Sequence, residues 1–131
     1  MIRYLLAVLS LGVLLFVSCS KDDDDKLEGK WQLQQVETDG QIIKVDTVYY
    51  NFQTSLFLYQ IYIPATDGMR HCYGFKTWDG DKQLLLELEG GNSFLPYTDW
   101  KEVTESFTVE TLTNSKMILN RENKRYVFRK F

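Results

Sequence analysis

The residues of this chain whose types and spacing could carry chemistry fall into three groups. The first is Cys19, which closes the apolar run Phe16-Val17-Ser18-Cys19 and is followed by Ser20, Lys21 and the aspartates Asp22–Asp25. The second is Tyr50, Tyr59 and Tyr73, which would offer hydroxyls inside an apolar cavity if their strands turn them inward. The third is Phe94, Leu95, Tyr97 and Trp100, large groups in a loop-like stretch that starts with Gly90-Gly91-Asn92. They can form a lid over a cavity mouth, an exposed patch for a partner, or a satellite core under the loop.

Catalysis finds little support. His71 is the single histidine, and its neighbour Cys72 projects to the opposite face of any strand that carries both, so the two cannot act as a couple. Asp79 and Asp81 flank Gly80, but no further oxygen ligands follow at the spacing of a calcium loop. Glu87, Glu89 and Glu102 are scattered and set no pair of carboxylates across a cleft. No catalytic residue, metal ligand or cofactor is therefore assigned, and the expectation is a protein that binds and does not transform.

What positions these groups begins with a targeting segment. Residues 1–18 have the form of a signal peptide: Arg3 supplies the positive start, and Tyr4–Val17 is apolar apart from Ser10 and Gly12. That run fits the ~7–15 residues of a signal core and is short of the ~20 that span a bilayer. Removing it leaves 113 of the 131 residues, enough for one domain. The remainder carries 14 basic against 18 acidic side chains, a balance that argues against nucleic acid, which demands a basic surface. With Cys72 as the one other cysteine, no disulfide framework is available and the core must hold the fold.

Phe16-Val17-Ser18-Cys19 resembles the lipobox of bacterial lipoproteins. The resemblance implies cleavage before Cys19 and acylation of its sulfur and amino group, which would anchor the chain in a membrane; one acyl chain alone is marginal, several are stable. Ser20–Asp25 is similar to the acidic export signal of Bacteroidetes lipoproteins, which implies an outer-membrane protein exposed at the cell surface, the alternative being the periplasmic face. Residues 19–26 then form a lipidated acidic tether, extended by self-repulsion.

From residue 27 to 131 the pattern is that of short strands and tight turns. Aromatic and β-branched residues are abundant, and prolines are only Pro64 and Pro96. Eight strands are predicted, over Lys30–Glu37, Val45–Phe52, Leu56–Ile63, Arg70–Trp78, Lys82–Leu88, Thr104–Thr111, Met117–Asn120 and Lys124–Phe131. Asp39-Gly40, Thr66-Asp67-Gly68 and Asp79-Gly80-Asp81 supply turns. Trp31 and Leu33 share a face, which a change of phase extends to Val36. Gly74 within a strand signals a bulge or sharp bend, and the one helical turn expected is near Tyr97–Lys101. Connections this short exclude parallel crossovers. The fold class is all-β, an antiparallel eight-stranded meander that closes into a barrel and so removes its edges.

Gly29-Lys30-Trp31 on the first strand resembles the Gly-x-Trp motif of lipocalins, and the tail from Phe107 to Phe128 is similar to small lipocalin-like lipoproteins of Bacteroidetes. The resemblance implies that Trp31 plugs the closed end of the barrel beneath a cation of the last strand. Arg125 and Arg129 are both available for this, and Arg129 is taken as the structural partner. The expected function is binding of a small apolar or amphipathic ligand that enters near Phe94–Trp100 and meets Tyr50, Tyr59 and Tyr73. The alternative is an interaction or inhibitor subunit that docks a cell-surface protein or glycan and holds no internal ligand. An interior filled by its own side chains is as compatible with the sequence as a pocket.

Overall fold

The computed structural model describes residues 23–131, so the predicted signal peptide and Cys19 lie outside the described residues. After helical residues 23–27, nine strands follow. They are β1 (Gly29–Thr38), β2 (Gln41–Lys44), β3 (Val48–Gln53), β4 (Leu56–Ile63), β5 (Gly68–Trp78), β6 (Gln83–Leu88), β7 (Thr104–Leu112), β8 (Lys116–Arg121) and β9 (Lys124–Lys130). Every pairing is antiparallel between neighbours, and β9 returns to β1 from Trp31↔Lys130 to Thr38↔Lys124. Eight strands thus close a barrel, as the sequence predicts. β2 lies outside that count: no strand is predicted over Gln41–Lys44, and the one predicted from Val45 starts only at Val48, as β3, after an interruption at 45–47.

The interruption has a local cause. Asp39 and Gly40 both have positive φ, 50° and 79°, the two-residue turn whose twist matches a tight hairpin. It pairs β2 with the end of β1, whereas β3 pairs with its beginning, Gly29–Gln32. Between them Val45 still donates its N–H to Gln34 O, at 3.0 Å, and the chain then kinks. Opposite this kink β1 shifts register against β9 between Leu33 and Gln35. A bulge of that kind reverses which alternate residues face inward, and it brings Val36 to the inside after Leu33, the change of phase expected from the sequence.

The interior is filled along most of its length. Tyr50 sits at its centre, with ring centroids of Phe57, Tyr59 and Phe128 at 5.1, 4.8 and 4.8 Å. Leu84, Leu86, Phe107, Met117 and Leu119 complete the packing from β6, β7 and β8. The connection from β6 to β7 carries two short 3-10 turns, Gly91–Ser93 and Leu95–Tyr97, slightly before the turn expected at Tyr97–Lys101. It folds Phe94 and Trp100 down into the aromatic core.

The other end is sealed by the first of the described residues. Leu27 is wholly buried, and the Trp31 indole donates to Leu27 O at 2.8 Å. Asp24 accepts hydrogen bonds from Lys76 and Trp78 of β5, so the acidic run folds back on the barrel from at least this residue. Burial pushes the Asp24 carboxyl up, but those two bonds and the Lys76 charge outweigh it and hold it below its ordinary value. Lys76 is thereby a buried ammonium that keeps a counter-charge.

Candidate functional site

A cup of about 440 Å³ opens at the end of the barrel opposite Trp31. One wall is aliphatic, from Leu33 and Val36 of β1, Ile43 of β2, and Val45 and Val48 around the kink. The facing side is polar: Tyr97, Thr98 and Asp99 of the β6–β7 connection and Lys124 at the start of β9. Tyr50, Tyr59 and Tyr126 line it from the core. The bulge in β1 is what makes this wall, since without the reversal of phase Gln35 and Glu37 would face inward in place of Val36 and Thr38.

The polar side is cross-linked. The Tyr126 hydroxyl donates to Asp99 Oδ2 at 2.6 Å, and Lys124 Nζ lies 3.3 Å from the same oxygen. Arg121, its side chain only 5 % exposed, donates to Asp99 O at 3.0 Å and to the Tyr126 oxygen at 2.9 Å. Its second terminal nitrogen is 2.9 Å from Glu105 Oε1. The Trp100 indole donates to the Tyr50 hydroxyl at 3.0 Å. Burial, reinforced by the Asp99 charge, pushes the hydroxyls of Tyr50, Tyr59 and Tyr126 above the ordinary phenol value. All three stay neutral at physiological pH and face the cup as hydrogen-bonding groups.

The residues singled out from the sequence divide on this geometry. Tyr50 and Tyr59 are brought together beneath the cup, and Tyr97 stands at its rim, its ring 3.6 Å from the Arg70 guanidinium. Phe94 and Trp100 are buried under the connection and do not line the cup; Trp100 reaches it only through Tyr50. Tyr73 is corrected: it is not inward but 61 % exposed on the outer face of β5, edge-on to His71. The inner positions of that strand are Arg70, Cys72, Gly74, Lys76 and Trp78, because the backbone of β6 crowds β5 at Gly74. Tyr126 takes the third tyrosine's place at the cup. Its alternation with Phe128 marks it as inward from sequence, but its hydroxyl's role follows only from Arg121 and Asp99.

Arg129 is likewise corrected as the partner of Trp31. Its guanidinium bonds Gln32 Oε1 at 2.7 Å on the outer wall, and Arg125 pairs with Glu37 and Glu110. The cation over the indole is Lys130, 4.3 Å from the ring centroid. Inward positions of β9 are Tyr126, Phe128 and Lys130, and β1 places Trp31 directly opposite the last of these. Gly29 has φ +118°, and a Cβ there would meet the Lys130 side chain at 2.9 Å, so the glycine of Gly-x-Trp makes room for this cation.

His71 and Cys72 face opposite sides of β5, and burial pushes the Cys72 thiol above its ordinary value, which lowers its nucleophilicity. Among the described residues no three His, Cys, Asp or Glu side chains gather where they could hold a metal. A larger groove of about 590 Å³ runs over Gln32, Gln34, Gln35 and Arg129 on the outer wall, but apart from Val45 its lining side chains are amides and charges.

A barrel plugged by Gly-x-Trp at one end and open at the other agrees with the sequence comparison, in which the lipocalin-like domain family matches residues 14–131. The chain belongs to this family. A crystal structure of a lipocalin-like protein from Bacteroides uniformis is 33 % identical, with a TM-score of 0.74 over 81 % of this chain and 99 % of its own. An uncharacterized protein from Bacteroides eggerthii is 30 % identical, with a TM-score of 0.69 over 80 % of this chain and 99 % of its own. No curated protein matches the chain. The lipocalin-like cup is therefore the part of the molecule from which a function is to be read.

Proposed function

We propose that this lipocalin-like protein is an outer-membrane lipoprotein, anchored through acylated Cys19, whose cup binds a small apolar or amphipathic ligand. The observation that carries the binding role is the cup itself. Its volume is within the ~300–1,000 Å³ of small-molecule sites, and an apolar wall faces a few fixed polar groups, the usual composition of such sites. An aliphatic body would lie on Val36, Val45 and Val48, with a polar end toward Tyr59, Tyr126 and Lys124. The anchor rests on the lipobox-like Phe16–Cys19 and the acidic run after it.

The wall tests the first part. Val48→Trp, at a half-buried position on the rim of the core, should fill the cup and weaken binding of an environment-sensitive apolar probe, such as an anilinonaphthalene sulfonate, at least tenfold, with thermal stability nearly unchanged. Binding that survives at full affinity places the probe elsewhere and removes the cup as the site. For the anchor, Cys19→Ala should move the protein from the membrane to the soluble fraction; a variant that stays with the membrane refutes acylation at Cys19.

The outer face supports the alternative reading. Leu56 with Phe75, and Leu58 with Tyr73, stand opposite one another on β4 and β5, and Leu56, Tyr73 and Phe75 are exposed. A cell-surface protein or glycan could dock there with no internal ligand. Loss of partner binding in Tyr73→Ala, with probe binding intact, would favour it.

A further inference from the structure

We infer that β2 is a self-complementary edge through which two copies of this chain join their sheets around a two-fold axis at Ile43. Closure of the barrel gives each of the other strands a paired neighbour on both sides, but β2 pairs only with β1 and all four of its residues are exposed. Its Ile42 and Ile43 are 55 % and 58 % exposed, with no proline and a single charge, Lys44, to blunt the edge.

The hydrogen-bonding phase of that edge follows from the turn. In a two-residue hairpin the flanking pair, Thr38 and Gln41, bond each other, and Val45 again donates to Gln34. Alternation then directs the backbone groups of Gln41, Ile43 and Val45 to β1, and those of Ile42 and Lys44 away from it.

A second β2 laid antiparallel can use these free groups in few ways. Centred on Lys44 it sets two ammonium groups opposite each other, which is destabilising. Centred on Ile42 it leaves Lys44 against the turn. Centred on Ile43 it pairs Ile42 with Lys44 of the other copy twice over, satisfying all four groups on each edge and bringing the two Ile43 side chains together. No like charges meet. Gln41, Ile43 and Val45 line the cup, so the two cups would open side by side and each copy would present Ile43 to the other's wall.

A ladder of four residues is far smaller than the ~800 Å² per partner of a stable complex, so the pairing is weak and concentration-dependent. This proposal does not rest on a ligand occupying the cup.

The register makes the test specific. At a non-hydrogen-bonded pair the Cα atoms are about 4.5 Å apart, within the range a disulfide spans. Ile43→Cys in the full chain, concentrated and oxidised, should give a reducible dimer at least fivefold above the unaltered protein, whose own cysteines set the baseline. Ile42→Cys should stay at that baseline, since two residues of rise, ~7 Å, displace it from its counterpart. Adding Ile42→Pro to Ile43→Cys removes a free-edge N–H but no bond to β1, and should return the dimer to baseline with an unchanged circular dichroism spectrum. Ile43→Cys at baseline, equal cross-linking from Ile42→Cys, or capture of a different protein in place of a second copy would each overturn the proposal.

Discussion

Gly74→Ala is expected to destabilise the barrel by at least ~3 kcal/mol, at the upper end of what single substitutions do. A Cβ at this position would lie 1.8 Å from the carbonyl oxygen of Glu87 and 2.8 Å from its carbon. Neither is the far end of a side chain that can swing away; both belong to β6, whose Leu88 is paired with Gly74 itself. Relief therefore requires the two strands to part, with loss of ladder bonds and of the packing beneath Leu86 and Leu88. Overpacking in a flexible core costs ~1–3 kcal/mol, and a backbone obstacle leaves less freedom. For a domain of this size the melting temperature should fall by ~10–20 °C, read by circular dichroism. Tyr73→Ala, one residue away but outside, should change it by no more than a few degrees. If Tyr73→Ala is the more damaging of the two, the inward phase of β5 is wrong.

That contrast also shows where sequence reasoning reaches and where it stops. Most strands and turns are legible because alternation and turn chemistry are local; β2 and the late start of β3 are the exceptions. The phase of β5 is not legible, because its outer face carries the bulkier groups, Tyr73 and Phe75, and its inner face carries Gly74 and Lys76. Size usually marks the core. Here the inner face is crowded by the β6 backbone at Gly74 and supplied with a counter-charge at Lys76, and that counter-charge is distant in the chain: Lys76 is 52 residues from Asp24, which also accepts from Trp78, 54 residues away. Lys130 is a different case. The alternation that marks Tyr126 and Phe128 as inward already includes it, so the cation over Trp31 was legible, and Arg129 is excluded by parity alone.

The cup was legible only in part for a related reason. Tyr50 and Tyr59 follow from alternation, but the aliphatic wall depends on a kink between β2 and β3 and the matching bulge in β1, which convert two regular strands into a lip. Neither Val45-Asp46-Thr47 nor Leu33-Gln34-Gln35 has a residue type that demands the irregularity. It lies where β1 changes partner, from β3 at Gly29–Gln32 to β2 at Gln35–Thr38. The polar side is harder still, since Asp99, Arg121 and Tyr126 come from three separate elements.

Arg121→Ala should expose how much the cup depends on that convergence. Arg121 at the end of β8 ties the β6–β7 connection to the barrel through Asp99 O, the Tyr126 hydroxyl and Glu105. Glu105 in turn accepts the N–H groups of Lys101 and Glu102, each at 3.0 Å, so one guanidinium organises the segment that seats Trp100. Removing one member of a buried ion pair costs ~3–5 kcal/mol when the other is left without compensation. Glu105 is 12 % exposed and Asp99 33 %, and Lys124 still reaches Asp99, so a loss of ~2–3 kcal/mol is expected. A melt then shows a fall of ~10 °C or more. The distinguishing measurement is local. The connection should lose amide-exchange protection at Trp100–Glu102 before the strands open, and the apolar probe should bind more weakly than to Glu105→Gln, which leaves the contacts to Asp99 and Tyr126 intact. Equal losses of protection throughout the barrel, with probe affinity unchanged below the transition, would make Arg121 a contributor to general stability and take from it the role of holding the cup's polar side.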